Sequence, residues 1–222
     1  MAGVATMRTV RIPAEAGAEL EADLRVPPAA AGLVLFAHGS GSSRFSRRNR
    51  AVAGVLEAAG FATLLLDLLT GPEAVADERT GEHRFDIPML GRRVVAAIDW
   101  VRAQPAAPGV IALFGASTGA AAALTAAAER RDMIRAIVSR GGRPDLAGEA
   151  LALVRAPTLL IVGGHDVQVV DLNRRAASRI TAQVRIEVIP GAGHLFEEPG
   201  ALEEVSRLAA DWCRTYLGTG PP

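Results

Sequence analysis

Short apolar runs rich in branched side chains recur along this chain, and most alternate with longer segments whose apolar residues follow a helical spacing. The apolar runs predict strands at residues 9–12, 18–26, 33–37, 61–66, 110–114, 134–138, 158–162 and 184–189. The helical spacing predicts helices at residues 49–59, 87–103, 118–130, 144–153, 172–180 and 199–217.

Alternation of strands and helices requires parallel pairing with right-handed crossovers, which puts helices on both faces of the sheet. The first two strands are joined tightly around Ala16 and Gly17, so we expect them to form an antiparallel edge. The predicted fold is α/β, with a mostly parallel sheet of about eight strands. No composition break divides residues 1–222, which predicts a single domain with 218–222 as a disordered tail.

Two stretches between the predicted elements bear on access to a site. The segment from Ser139 to Thr158 has room for one short helix but not for an inserted cap domain, which predicts an open, fairly shallow site. Residues 67–84 lack clear periodicity and are expected to form an irregular loop. Such loops are often functional or mobile, so the segment is either a partial lid or a solvated connection.

A GxSxG pentapeptide, Gly115 to Gly119, lies directly after the predicted strand 110–114 and before an alanine-rich helix. Strand, sharp turn and helix with a serine at the turn are typical of a nucleophile elbow, which exposes the hydroxyl above the sheet. The pattern therefore predicts Ser117 as a nucleophile. The structural alternative is that Ser117 is an ordinary helix N-cap.

Two later loops supply an acid and an imidazole at strand ends. Asp166 follows Gly163 and Gly164 after one strand, and His194 follows Gly193 after the next. The chain order Ser, Asp, His is the order of a catalytic triad built on a parallel α/β sheet. Asp166 could instead cap a helix or form an Asx turn, with Asp171 as the rival acid, and His194 could be an ordinary loop histidine.

A glycine-rich loop from His38 to Ser42 follows the predicted strand 33–37. In a serine hydrolase the residue after the nucleophile, here Thr118, gives one backbone N–H to the oxyanion hole, and a loop after an earlier strand gives the other. Ser40 is the predicted second donor, with Gly41 as the alternative. A tight turn with no catalytic part is the structural alternative for this loop.

Four further residues are predicted to contact substrate. Phe45, Leu69 and Phe196 lie on loops at the same sheet edge and could form an apolar wall, or could equally pack within their loops. Arg140 follows the sixth strand, where its guanidinium could bind a substrate carboxylate. A structural salt bridge from Arg140 to Asp145, Glu149 or an acid at the sheet edge is the alternative.

The chain resembles the dienelactone hydrolase group of the α/β-hydrolase superfamily over nearly its whole length. The resemblance rests on HGSGSSRFSRRNR, RFDIPML, FGASTGAAAAL, SRGGRPDLAG, APTLLIVGGHD and PGAGHLFEEPG. It implies an α/β-hydrolase fold and the triad Ser117, Asp166 and His194. Dienelactone hydrolase proper has cysteine as its nucleophile, whereas position 117 is serine. This departure favours ordinary carboxylic esters or thioesters over dienelactone.

The expected activity is hydrolysis of a small-molecule ester, without a cofactor. Lactone or thioester hydrolysis and acyl transfer are alternatives, and a catalytically silent scaffold that serves as a binding module is the non-enzymatic one. All 24 basic residues are arginine, which excludes a P-loop lysine or a lysine Schiff base. His83 and His165 have no partners at metal-ligand spacing, so no metal is predicted.

Charge and composition narrow the partners and the compartment. The formal net charge is zero, so neither nucleic acid nor an anionic membrane surface is an expected partner. The uncharged stretch 103–128 is interrupted by the GxSxG turn and predicts a buried strand and helix rather than a membrane span. A single cysteine, Cys213, and the absence of an apolar signal-peptide core predict a cytoplasmic protein. The sequence carries no signal for an oligomeric state.

Overall fold

The computed structural model describes residues 6–104 and 107–218. Eight strands form one sheet in the order β1-β2-β4-β3-β5-β6-β7-β8, and the eight predicted strands are all present. The pairs β1–β2 and β2–β4 are antiparallel, and all other neighbours are parallel. The strands are β1 (Thr6–Pro13), β2 (Glu19–Val26), β3 (Leu33–Ala37), β4 (Ala62–Leu66), β5 (Ile111–Ala116), β6 (Ile134–Arg140), β7 (Thr158–Gly163) and β8 (Val184–Ile189). The mostly parallel sheet with an antiparallel N-terminal edge is confirmed.

Helices cover both faces of this sheet, as predicted. They are α1 (Arg47–Ala58), α2 (Gly71–Thr80), α3 (Ile87–Arg102), α4 (Thr118–Glu129), α5 (Val167–Ala177) and α6 (Ala201–Leu217). Two 3₁₀ segments, Glu15–Gly17 and Pro144–Leu153, complete the fold. The second is the short helix predicted at residues 144–153, and it is kinked at Gly148, whose φ is +54°. It fills the segment between β6 and β7, in which no cap domain was expected.

The sheet separates two apolar cores. On one face α3 and α4 pack through side chains such as Val94, Ile98 and Leu124, all fully buried. On the other face α1 and α6 cover Phe36 and Phe114, whose ring centroids are 4.7 Å apart. The small alanine side chains of α4 let this helix pack closely against the sheet, directly after the end of β5. The GxSxG turn is therefore held between a buried strand and a buried helix.

The prediction of an irregular loop over 67–84 is wrong, because residues Gly71–Thr80 form α2. The helix begins with a capping box in which the Thr70 side chain accepts from the Glu73 N–H and the Glu73 carboxylate accepts from the Thr70 N–H. It ends at Gly81, whose φ of +68° suits the left-handed C-cap. Local capping, rather than an apolar stripe, makes this segment helical.

Other boundaries shift by a few residues. Helix α5 begins at Val167, directly after Asp166, rather than at the predicted residue 172. The last described residue, Gly218, ends α6, and residues 219–222 of the predicted tail lie outside the described residues. Cys213 is buried, and burial raises the pKa of its thiol to about 12, which leaves it without a nucleophilic role. Within the described ranges, none of the helices has the length and apolarity needed to cross a bilayer.

Candidate active site

Ser117 occupies the turn between β5 and α4 in a strained backbone conformation. Its φ is +50° and its ψ is −122°, a region that a non-glycine residue rarely adopts. The flanking glycines make this turn possible: a Cβ on Gly115 would lie 2.4 Å from Ala120 Cα, and one on Gly119 would lie 2.3 Å from the Ala37 carbonyl oxygen. The Ser117 side chain makes no N-cap hydrogen bond to α4, so the ordinary N-cap alternative fails. This geometry is that of a nucleophile elbow.

The end of β6 holds the elbow from one side. The Ser117 N–H donates to the Arg140 carbonyl oxygen at 3.3 Å, and the Ser117 carbonyl oxygen accepts from the Arg143 N–H at 3.0 Å. A Cβ on Gly39 would lie 2.9 Å from Ser117 Cβ, so the glycine-rich loop after β3 contacts the serine from another side. Backbone contacts on two sides therefore fix the position of the hydroxyl.

Asp166 and His194 are hydrogen-bonded, with His194 Nδ1 2.7 Å from Asp166 Oδ2. The side chains are 19% and 38% exposed respectively, so the imidazole reaches solvent and the carboxylate lies below it. Two backbone bonds join their loops: the His165 N–H donates to the Ala192 carbonyl and the Gly164 N–H to the Ile189 carbonyl, both at 2.9 Å.

The alternatives for the acid do not fit this geometry. The Asp166 side chain makes no capping hydrogen bond to α5, although it immediately precedes that helix. Asp171, the rival acid, instead lies 3.4 Å from Arg174 on the exposed surface of α5. Asp166, and not Asp171, is thus the acid hydrogen-bonded to His194.

Both His194 and Ser117 adjoin the end of β6. A Cβ on Gly141 would lie 3.7 Å from His194 Cε1 and 3.0 Å from the His194 carbonyl oxygen. The preceding residue, Arg140, accepts the Ser117 N–H bond. Among the described residues, the Ser117 hydroxyl and the His194 ring are not hydrogen-bonded to each other. The serine and the acid–imidazole pair lie on either side of this one strand end.

Hydroxyl contacts connect the loop after β3 to the elbow and to the segment after α2. The Ser40 hydroxyl donates to the Arg84 carbonyl oxygen at 3.3 Å, which leaves its oxygen to accept from the Thr118 hydroxyl at 3.0 Å. Within the described chain, the backbone N–H groups of Ser40, Gly41 and Thr118 have no hydrogen-bond acceptor. These donors lie beside Ser117 and are available to an oxygen of a bound ligand.

His38, a residue for which the sequence analysis proposed no separate role, positions this loop. Its side chain is 6% exposed, its Nε2 accepts from the Leu68 N–H at 3.0 Å, and its Nδ1 lies 2.9 Å from the Gly39 carbonyl oxygen, to which it donates. Burial lowers the pKa of His38, which keeps the ring neutral. The sequence signal that could have indicated this positioning role is the histidine immediately before Gly39, at the start of the glycine-rich loop.

A cavity of about 370 Å³ opens beside the proposed oxyanion donors. Its lining includes Ser40, Gly41, Thr118 and residues of α2, together with Phe45 and Leu69. Ser117 and His194 are not part of the lining, so the cavity extends from the oxyanion side of the elbow and not from the imidazole side. Phe45 and Leu69 therefore lie together in the wall of this cavity.

Phe196 does not belong to this apolar wall, contrary to the prediction. Its side chain is 2% exposed and is part of the core beneath α6, with a Cβ built on Gly141 only 3.2 Å from the ring. The backbone at Phe196 has a φ of +54°, which turns the side chain inward after His194. Phe196 supports the histidine loop from below.

Arg140 also differs from both of its predicted roles. It is 7% exposed, and its Nη2 donates to Asn49 Oδ1 of α1 at 3.2 Å, away from the cavity. Asp145 pairs with Arg143 and Glu149 with Arg179, so neither predicted acid reaches it, and within the described ranges it has no ion pair. Burial, and secondarily Arg48, lowers the pKa of Arg140 to about 10.

The sheet order, the elbow after β5, and the acid and histidine after β7 and β8 define an α/β-hydrolase fold. The chain belongs to the dienelactone hydrolase family, whose model matches residues 22–216. A crystal structure of dienelactone hydrolase from Anabaena variabilis is 51% identical, with a TM-score of 0.93, and the match covers 96% of this chain and 98% of that one. Est1E from Butyrivibrio proteoclasticus shares the fold at 19% identity, with a TM-score of 0.76 over 91% of this chain and 96% of that one.

Two curated relatives, from two strains of Mycobacterium tuberculosis, are 56% identical over 200 residues, which is 89% of this chain. They carry the provisional name phosphoribosyl transferase. The match spans only 44% of their length, so more than half of each relative lies outside it. A name given to the whole of those proteins therefore does not carry over to this chain.

Proposed function

We propose that this protein is a serine hydrolase that cleaves carboxylic esters through an acyl-enzyme on Ser117. The observation that carries the proposal is the hydrogen-bonded pair of Asp166 and His194 at the same strand end as the strained Ser117. Membership of the dienelactone hydrolase family supports it. The nucleophile assignment follows from serine at the elbow of GxSxG.

In the proposed mechanism His194 removes the Ser117 proton as the hydroxyl attacks the ester carbonyl carbon. Asp166, bonded to Nδ1, holds the tautomer that leaves Nε2 free to accept this proton and stabilises the imidazolium. The proton transfer requires Nε2 within hydrogen-bond distance of the Ser117 hydroxyl, and catalytic hydrogen bonds commonly tighten when substrate binds.

The tetrahedral intermediate carries its negative charge on the former carbonyl oxygen. The N–H of Thr118 and that of Ser40, with Gly41 as the alternative, are the proposed donors, each contributing roughly 3 kcal/mol to barrier reduction. His194 then gives its proton to the leaving alcohol, and the acyl group stays on Ser117. Water deprotonated by His194 releases the acid and restores the serine.

Hydrolysis of p-nitrophenyl esters of increasing acyl length, with Ser117→Ala as control, tests the proposal. We expect the wild type to turn over at least one ester, and kcat/KM for that ester to fall by at least about a thousandfold in the variant. Absence of turnover with every ester, thioester and lactone would favour a binding module instead. Product analysis with an alcohol acceptor present separates hydrolysis from acyl transfer.

A further inference from the structure

The cavity beside the oxyanion donors combines an apolar wall with an unbalanced negative charge. Its apolar lining consists of Phe45, Leu68, Leu69, Ala74 and Leu90. Its ionic side chains are one guanidinium, Arg84, and two carboxylates, Asp77 and Glu78. The number of carboxylates thus exceeds the number of guanidinia by one.

The single guanidinium is already engaged. Arg84 Nε lies 3.0 Å from Asp77 Oδ2, and the Asp77 carboxylate also accepts the backbone N–H groups of His83 at 2.7 Å and Arg84 at 3.0 Å. Asp77 is 3% exposed, and although its burial opposes ionisation, these bonds lower its pKa. Arg84 and Asp77 therefore neutralise each other's charge, and Arg84 Nε and Nη2 are both hydrogen-bonded to Asp77.

Glu78 is the charge that remains. It is exposed on α2, lines the cavity, and has no ion-pair partner among the described residues. An adjoining cavity of about 450 Å³ repeats this imbalance, with Arg11 and Arg44 against Glu19, Glu21 and Asp67. Arg44 in turn pairs with Glu21, Asp23 and Asp67. Neither cavity offers an uncommitted buried cation.

Exposed apolar side chains are found among and next to the lining residues. Phe45 is 54% exposed, Phe85, next to the lining residue Arg84, is 61% exposed, and Val75 is 62% exposed. Val75 and Glu78 are three residues apart on α2 and so share a helical face. Large exposed apolar side chains around a concave site commonly mark a ligand-binding surface.

We infer that the cavity receives an uncharged, largely apolar substituent of the ester and that Glu78 discriminates against substrates with a carboxylate at that end. This inference rests on the proposed ester hydrolysis. Arg140, the guanidinium that the sequence suggested for a carboxylate, bonds Asn49 and does not line the cavity. A carboxylate entering beside Glu78 would meet a like charge. The nearest other guanidinia, those of Arg44 and Arg50 over the Phe45 ring, are paired with Asp67 and Asp23.

The test compares matched ester pairs that differ in one charge. For the acyl side the pair is p-nitrophenyl valerate and mono-p-nitrophenyl glutarate, in which a terminal methyl is replaced by a carboxylate. For the alcohol side the pair is 3-(methoxycarbonyl)phenyl butyrate and 3-carboxyphenyl butyrate. The quantity measured is the ratio of kcat/KM for the neutral ester to that for the anionic ester, at low and high salt.

The wild type should favour the neutral ester in at least one pair. Glu78→Gln should lower that ratio by about three- to tenfold, and the wild-type ratio should itself shrink as salt screens the carboxylate. Glu82→Gln, an equal charge change at an exposed residue outside the cavity lining, should leave the ratio unchanged.

Equal ratios in the wild type and Glu78→Gln, or preference of the wild type for the anionic ester in both pairs, would overturn the inference while leaving ester hydrolysis intact. Failure of the proposed function looks different, because no ester of either pair would then be turned over.

Discussion

Glu73 in α2 and Arg93 in α3 form a two-pronged ion pair, in which each guanidinium Nη lies 2.7 Å from a carboxylate oxygen. Arg93 is 2% exposed and also donates to Glu15 and to the Leu68 carbonyl oxygen. The hydrogen bonds from Arg93 lower the pKa of Glu73 to about 2, against its burial. Because α2 forms one wall of the cavity, this ion pair fixes that wall to the rest of the fold.

Glu73→Gln should reduce the free energy of unfolding by about 2 kcal/mol at pH 7, because it leaves part of the Arg93 charge uncompensated. The pKa of Glu73 is lower in the folded state, so its stabilisation is fully present above its ordinary pKa of 4.5 and is lost as the pH falls toward 2. Urea denaturation at pH 7, 4 and 3 should therefore show a narrowing gap between the variant and the wild type. Glu82→Gln is the matched control, and an equal loss of stability there would argue against this role for the ion pair.

Asp166→Asn should lower kcat for ester hydrolysis by roughly 10³- to 10⁴-fold, because the amide cannot hold the required tautomer of His194 or stabilise its positive form. Asp171→Asn removes a carboxylate on the exposed face of α5 that, among the described residues, pairs with Arg174 alone, so kcat should stay close to that of the wild type. Steady-state kinetics of the two variants with one p-nitrophenyl ester measures both effects on kcat. The reverse order of effects would make Asp171 the catalytic acid.

His38→Gln should flatten the pH dependence of stability. The pKa of buried His38 is lowered from its ordinary value of 6.5, so below pH 6.5 the unfolded chain binds a proton that the folded chain does not. Stability therefore falls as the pH drops below 6.5, by up to about 1.4 kcal/mol per pH unit for this group. Glutamine retains an acceptor for the Leu68 N–H but does not titrate. The measurement is the unfolding free energy of the wild type and of His38→Gln at pH 7.5 and 5.5. An equal decrease between these pH values in the two proteins would contradict the role given to His38.

Gly119→Ala should destabilise the protein by about 3 kcal/mol, because the new methyl would lie 2.3 Å and 2.4 Å from the carbonyl oxygens of Ala37 and His38. Gly54→Ala is the matched control, since Gly54 lies within α1 and no atom of the described residues lies within 4 Å of a Cβ built there. It should stabilise by about 0.5–1 kcal/mol through helix propensity. Thermal unfolding of the two variants measures both effects, and a tolerated Gly119→Ala would mean that the elbow can open.

The strands and the elbow were predictable because local pattern determines them. Buried parallel strands such as β5 read as continuous apolar runs, and the glycines at 115 and 119 are required by backbone contacts only a few residues away or on the neighbouring strand. The Asp166–His194 bond joins loops after neighbouring strands β7 and β8. Parallel strands end at the same sheet edge, so pairing of the consecutive strands β7 and β8 is enough to bring these two side chains together.

Helix α2 was missed because its apolar residues form no stripe, and its contacts with the rest of the fold are ion pairs that form only once the chain folds. Half-buried Glu73 pairs with Arg93, and buried Asp77 pairs with Arg84. The Thr70-to-Glu73 capping box was the one local signal available. Phe196 was misplaced for a similar reason, since its positive φ, which directs the ring inward, depends on packing beneath the histidine loop.

Peptide mass spectrometry of the protein after reaction with a fluorophosphonate probe tests whether Ser117 is the nucleophile. One label per chain is expected, on Ser117, and it should be lost in Ser117→Ala and form far more slowly in His194→Ala. Ester hydrolysis by a protein whose Ser117 stays unmodified, or a label on a different residue, would contradict the assignment of Ser117 as the nucleophile.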